Sequence, residues 1–529
     1  MKSADEAHDV LVVPGLQSNG AGESRAATTD DATTTAQPGR DAWWARFRWL
    51  LTRVWLWPTL LTAALGLFRI GRPELWRDEL RSWSAASRPI GDLIHTLGVT
   101  DAAVALYYLI LHGWIKIFGD SATSMRMVSL IAMAAAAGVV SLIGRRLYGP
   151  AVGLVGGLIF ALIPAVSRFA QEVRPYAITM LLVALSTLLY LRALERSTWP
   201  RWLGYALSVA GVALAQVVAL PVFAAHAVGL LVWHRRDRRM WLTWAAWAAA
   251  GLVLASPVIL LGASQYDHQV GSLPAETFDE LTTLPPRLFS STIVAGAVAT
   301  MCLFGFGRKI PASVFLTSWA LLPIAAVWVV SNLGQSYWMT RYMLPTLPGF
   351  AILAAAGLMA LADRRMIALG VVAVAALGVP DQRMMRWVGA HDQWNYPYGG
   401  NAPVLYSEAA QLIADHQRPG DGIMYLARDD YWLLDIGMAY HLRGQPAPRD
   451  VLVQESAVAR GDFWVRECDD AAECVGATPR IWLVSASVVY GTDLDKLEPD
   501  KRAVLEEQYR LVETYKLTGI AVTLWQRVQ

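Results

Sequence analysis

From Trp55 to Pro380 the chain is a succession of apolar blocks separated by short polar breaks. Runs long enough to cross ~30 Å of hydrocarbon as a helix recur along it. They predict spans at roughly 52–70, 122–144, 150–168, 175–194, 201–217, 219–233, 240–262, 289–306, 311–331, 342–361 and 365–380. A further apolar run, Ala102–Phe118, poses a choice. The basic clusters are Arg46/Arg48/Arg53, Arg145/Arg146, Arg192/Arg196/Arg201, the run ending at Arg239, Arg308/Lys309 and Arg364/Arg365. If residues 102–118 stay on the outer side, every cluster faces the cytoplasm; if they cross, every cluster after the first is stranded outside. The pattern therefore predicts about eleven spans, the N-terminus inside and the C-terminus outside. Residues 102–118 become a helix lying along the interface, and His112 and Lys116 suit that placement.

The rhythm changes at both ends. Residues 1–40 are polar, rich in Thr, Ala and Asp, and lack the apolar core of a signal peptide; they read as a disordered cytoplasmic tail. Residues 41–380 form the transmembrane domain. In 381–529, strand-like runs (Gly422–Leu426, Ile481–Ser485) alternate with helix-like ones (Tyr431–Leu442, Asp500–Tyr509), and Leu511–Val528 reads as two strands around Thr518-Gly519. This predicts an extracytoplasmic α/β domain.

Composition agrees: 529 residues, 55% hydrophobic, describe a polytopic α-helical membrane protein. A net charge of +2 argues for no nucleic-acid partner. Cys302 sits in an apolar run as a small core residue. Cys468 and Cys474 enclose a short acidic loop, which fits a disulfide in an oxidising compartment better than a metal site, since no second Cys or His pair lies nearby.

The predicted topology gathers the chemistry on the outer face, because the cytoplasmic loops are short and basic. Asp78 and Glu79 follow the first span. Either Asp78 merely caps a short surface helix, or one carboxylate is a general base and the other an anchor; partial removal from water makes a carboxylate a better base. Arg168, Glu172, Arg174 and Tyr176 cluster where the third span returns, as interfacial anchors or as a site for a phosphate, a metal or a sugar. Arg341-Tyr342 heads the tenth span, where a cation on the wrong side for the positive-inside rule suits bidentate phosphate binding. His268, beside Asp267, is either a solvated histidine or, with Glu172, a ligand for a divalent metal. Tyr107, Tyr108 and Trp114 are an aromatic belt or the lining of a sugar or polyprenyl groove. The spacing Gly149, Gly153, Gly157 is a helix-packing feature.

Taken in order, these pieces resemble the GT-C membrane glycosyltransferases, in particular the bacterial protein-mannosyltransferase-like and aminoarabinose-transferase-like branch. Asp78-Glu79 follows the first span, LYYLILHGWIKIFGDS forms the non-spanning helix, Arg126 opens the second span and RRLYG closes it. QEVRPYA follows the third span and RYMLPTLP heads the tenth. The resemblance covers roughly residues 50–380. It implies a polyprenyl-phosphate-linked sugar donor, a glycan, glycolipid or protein acceptor, and a place in the plasma (inner) membrane. Asp78 would deprotonate the acceptor hydroxyl for inverting attack, Glu79 would position acceptor or base, and Arg341, Tyr342 and Arg174 would hold the lipid phosphate. Glu172, Tyr107 and Tyr108 would line the pocket. Relatives with HPPL or KPP opening the interfacial helix differ from this chain, which reads DAAVALY there. No cofactor is required, a divalent metal being optional. The rival readings are a lipid or polysaccharide transporter, which needs polar groups near mid-membrane or an internal repeat, and a non-catalytic envelope-assembly protein.

Overall fold

The computed structural model describes residues 53–528 apart from 266–277, 308, 334–335, 362, 389–403, 427, 429–431 and 487–493. Asp267, His268, Arg308 and the N-terminal tail lie outside the described residues. The first apolar block forms α1 (Leu56–Leu67). Three further helices precede the next block: α2 (Arg77–Ala86), α3 (Ile90–Val99) and α4 (Ala105–Phe118). Helix α4 buries Tyr107, Tyr108 and Leu111 and exposes Ile110, Ile117 and Phe118 on its other side.

The second and third blocks are α5 (Ala122–Tyr148) and the pair α6 (Pro150–Leu162) and α7 (Pro164–Ala170). The pair bends by 66°. Pro164 supplies the reason, since a proline pushes the residue before it out of the helical region, and Ile163 is extended at φ −61°, ψ 122°. Gly153 lets α6 lie close on α5: a Cβ there would meet the Ser141 carbonyl oxygen at 2.5 Å. Next come α8 (Tyr176–Glu195), α9 (Trp199–Ala215), α10 (Phe223–Trp233) entered through a 3₁₀ turn at Val217–Val222, and α11 (Arg238–Ser264). Helices α12 (Phe278–Phe289) and α13 (Thr292–Leu303) form a second bent pair at 97°. The last blocks are α14 (Ile310–Leu333), a 3₁₀ segment Thr340–Thr346 leading into α15 (Leu347–Leu361), and α16 (Arg364–Met384).

Every apolar block is thus helical. Among the described residues six helices are long and apolar enough to cross a membrane, eight if each bent pair is one span. Helix α1, at 12 residues, α9, at 17, and α10, at 11, are shorter than a straight crossing needs.

The C-terminal region is the α/β unit that its alternation predicts. Helix α17 (Tyr406–His416) precedes a five-stranded sheet, ordered β2-β1-β5-β7-β6. Strand β1 (Gly422–Tyr425) pairs in parallel with β2 (Arg449–Asp450) and β5 (Arg480–Ala486); β7 (Ile520–Arg527) runs antiparallel to β5 and to β6 (Tyr509–Lys516). Helices α18 (Leu434–His441), α19 (Ala471–Val475) and α20 (Pro499–Gln508) complete it. A separate hairpin, β3 (Val453–Glu455) with β4 (Arg466–Glu467), reaches out of the sheet. Cys468 and Cys474 are joined by a disulfide, Cα to Cα 6.5 Å. Cys302 is free and buried.

Candidate active site

The two adjacent carboxylates part company at the start of α2. Glu79 is fully buried and Arg126, on α5, grips it with both edges of its fork: Nε donates to Oε1 at 2.9 Å and Nη2 to Oε2 at 2.7 Å. The Val173 N–H adds a bond to Oε1 at 2.8 Å, and Trp76 N–H one to Oε2 at 3.4 Å. The capping role considered for Asp78 therefore falls to Glu79, which reaches back to the helix entrance. Arg126 spends its remaining protons on the carbonyls of Ile70, Pro73 and Glu74 at 2.7–3.1 Å. A carboxylate so occupied has little left for a substrate. Of the two roles open to the pair, Glu79 has the bonding of the anchor.

Asp78 has the opposite surroundings. Its carboxylate lies 3.4 Å from Arg341 Nη1, 3.9 Å from Arg174 Nε and 3.7 Å from Arg77 Nε. Burial pushes its pKa up, but Arg341, Arg174, Arg77 and Arg81 together outweigh that and hold it below the usual carboxylate range. The rings of Trp76 and Tyr176 flank this group: Trp76 faces Arg77 and Arg341 at 5.3 and 5.8 Å, Tyr176 faces Arg174 and Arg341 at 5.9 and 6.0 Å.

The turn between α7 and α8 completes the site, and its backbone is tied on every side. Gln171 Nε2 donates to the Gly66 and Phe68 carbonyls at 2.7 and 3.0 Å, Ser129 Oγ donates to the Glu172 carbonyl at 2.6 Å, and Val173 is held by Glu79. Its side chains are left buried with polar atoms that make no hydrogen bond: both Glu172 carboxylate oxygens, Arg174 Nε and Nη1 and the Tyr176 hydroxyl, joined by Asp78 Oδ2 and Arg341 Nε. Buried polar atoms cost free energy unless something satisfies them, so a turn presenting several is a candidate ligand site. Burial raises Glu172 to about 7, with Arg168 opposing.

The structure thus brings together Asp78, Arg174, Arg341 and Tyr176, with Glu172 close enough to feel Arg168, Arg341 and Asp78. Tyr107 is buried near Glu79, Arg174 and Glu172, and burial raises its pKa. Tyr108 turns to a different task, donating to Asp101 at 2.7 Å. Asp101 also receives Arg81 on both oxygens at 2.9 and 3.1 Å. Tyr342 is half-buried beside Arg341 on the same 3₁₀ segment. Among the described residues no three His, Cys, Asp or Glu side chains come together as a metal site would require, and His268 lies outside them. Two partnerships escaped sequence reasoning, Arg126 with Glu79 and Arg81 with Asp101. The signal for the first was present, because an arginine opening an apolar helix must find a partner.

With the helix order and this charged cluster in view, the chain has the fold of the GT-C membrane glycosyltransferases and is a multi-pass membrane protein. Residues 103–261 match the family model described as dolichyl-phosphate-mannose-protein mannosyltransferase. The structure is similar to that of ArnT from Cupriavidus metallidurans bound to undecaprenyl phosphate, with 14% identity, a TM-score of 0.59, and coverage of 90% of this chain and 98% of that one. The apo form of the same protein matches with 14% identity, a TM-score of 0.58, and coverage of 92% and 98%. Identity at this level speaks for the fold. A comparison with curated proteins finds no match.

Proposed function

We propose that this protein is an inverting glycosyltransferase that moves a sugar from a polyprenyl-phosphate donor to a hydroxyl of an extracytoplasmic acceptor, with Asp78 as general base. The observation that carries the reading is the convergence of Arg341 and Arg174 on Asp78, at 3.4 and 3.9 Å, with guanidinium nitrogens still lacking hydrogen bonds. More positive charge surrounds Asp78 than one carboxylate neutralises, so the site has room for a second anion. A phosphodiester linked to a sugar and a lipid supplies it. The match to a structure holding undecaprenyl phosphate supports that donor class, as does the mannosyltransferase family model.

The reaction balances at this cluster. The acceptor oxygen forms a bond to the anomeric carbon while the bond from that carbon to the phosphate oxygen breaks. The acceptor proton passes to Asp78, and the leaving lipid phosphate gains one negative charge. Asp78 loses one negative charge in the same step. The sum over carboxylate and phosphate is unchanged, so the arginines face the same total charge before and after transfer. They need not reorganise, which is how a preorganised site lowers a barrier. Glu79 acts as a positioning residue through Arg126, and Glu172 and Tyr107 line the pocket. In this reading eleven spans put the cluster and residues 381–529 on the outer face of the plasma (inner) membrane, the short α1, α9 and α10 lying among longer neighbours.

The test is transfer from a panel of polyprenyl-phosphate sugars by native protein and by Asp78→Asn. Transfer by the native protein alone is expected. Equal transfer by the variant removes Asp78 from its role, and no transfer from any donor removes the function.

A further inference from the structure

The helix that carries Asp78 is held from the far end of the chain. The loop 456–465, between β3 and β4 of the C-terminal domain, reaches down to α2 and α3. Its tip approaches closely: Gly461 has φ +64°, and a Cβ there would meet the His95 ring of α3 at 2.9 Å. Next to the tip, Phe463 is fully buried. The Arg81 guanidinium lies 4.2 Å from the centre of its ring and that of Arg88 5.4 Å. Arg88 also donates to the Asp462 carbonyl at 2.6 Å and to Thr96 Oγ1 at 2.6 Å, tying loop, α2 and α3 together. Asp101 chelates Arg81 from the other side. Arg81 is thus clamped between a carboxylate of the membrane domain and a ring of the C-terminal domain. It lies one helical turn from Asp78 and is among the cations acting on it.

Resting on the function proposed above, we infer that Phe463 is a positioning residue for transfer: through Arg81 it sets the placement and charge environment of Asp78. The C-terminal domain thereby takes part in the chemistry without touching substrate. The groups facing Asp78 are Arg77 and Arg81 on its own helix, Arg174 and Glu172 on the turn, Tyr176 at the start of α8 and Arg341 on the 3₁₀ segment. Phe463 acts on Arg81 and leaves the phosphate-facing pair Arg174 and Arg341 alone. Loss of the ring lets Arg81 drift from Asp78. One cation fewer raises the carboxyl's pKa, so the base is protonated at higher pH.

The experiment compares Phe463→Leu, which keeps a buried apolar side chain without a π face, with Phe463→Tyr, which keeps the ring. Two quantities are read in full-length protein. The first is kcat and its pH profile with whichever donor of the panel is active. The second is binding of undecaprenyl phosphate, with the protons taken up on binding measured by calorimetry in two buffers. For Phe463→Leu, kcat is expected to fall roughly 2- to 30-fold, the range of a partly desolvated cation–π contact. The acid limb is expected to move to higher pH, undecaprenyl phosphate affinity to stay within about twofold, and Phe463→Tyr to behave as wild type. A Leu variant with wild-type kcat, acid limb and proton uptake overturns the inference and leaves the proposed function intact. Loss of lipid-phosphate affinity in step with kcat also overturns it, since the defect is then general. Failure of the wild-type protein to bind undecaprenyl phosphate removes the functional reading and this inference with it.

Discussion

Arg126 and Glu79 form a two-pronged ion pair, 2.9 and 2.7 Å, with neither side chain exposed to solvent. The pair joins α5 to the entrance of α2, and through the Val173 N–H it joins both to the turn carrying Glu172 and Arg174. Removing one partner strands a buried charge, at a cost of about 3–5 kcal/mol. Arg126→Leu and Glu79→Leu should each lower the thermal midpoint of the detergent-solubilised protein sharply. The double variant, which buries no orphan charge, should lose less than the two singles added together. Strict additivity would show that the pair is not coupled.

Asp78→Asn separates binding from chemistry. Loss of a general base costs roughly 10²–10⁴-fold in rate. The same change takes a negative charge away from Arg174 and Arg341, so undecaprenyl phosphate should bind at least as tightly as to wild type. Fluorescence or calorimetric titration checks it; weakened binding would show that Asp78 helps to hold the lipid.

Donor binding should be linked to proton uptake. The arginines hold the Asp78 carboxyl below its ordinary value in the free protein. A phosphate placed among them offsets their charge and raises it, so the complex binds more protons than its parts and affinity strengthens as pH falls. Calorimetry in buffers of different ionisation enthalpy reads the uptake. Undecaprenyl phosphate, a monoester, titrates too, with a second pKa of about 6, which the donor's phosphodiester lacks. With that lipid as ligand, the decisive quantity is therefore the difference between wild type and Asp78→Asn at each pH. No difference would refute the linkage.

Glu172 makes a prediction about stability. Burial raises it to about 7 from 4.5, with Arg168 opposing. The folded protein therefore holds this proton more tightly than the unfolded chain does. Its contribution is fully present below pH 4.5 and is lost as pH rises towards about 7. Glu172→Gln, which cannot ionise, should flatten that part of the profile of thermal midpoint against pH. An unchanged slope would mean that another group carries it.

Much of this arrangement was legible in the chain. Apolar blocks announce helices because backbone groups in hydrocarbon must bond within their own segment. Alternating short runs after residue 420 announced strands and helices, and the turn at Thr518-Gly519 marks the β6–β7 hairpin, with Gly519 at φ +76°. The bends were harder to see. Pro164 lies inside a continuous apolar block, and Pro285 and Pro286 in a helix that amphipathy alone does not identify as half of a pair. Within the site, Asp78, Arg174 and Arg341 stood out as charges beside apolar runs. The division of labour between Asp78 and Glu79 did not, because adjacent residues of a helix differ in direction by about 100° and nothing local says which one meets Arg126.

By itself the sequence determined a membrane bundle joined to an α/β unit, together with an acidic pair and scattered cations as candidate chemistry. These are consequences of periodicity and of the cost of burying charge, both local properties. Only the tertiary structure decided which carboxylate is spent. Arg126 is 47 positions from Glu79 in sequence, and Arg341 lies 263 positions beyond Asp78. Phe463 lies 385 positions beyond Asp78, in the loop between β3 and β4. Charge pairing across such separations depends on where helices cross, and the packing of α2, α5, α8 and the 3₁₀ segment sets those crossings.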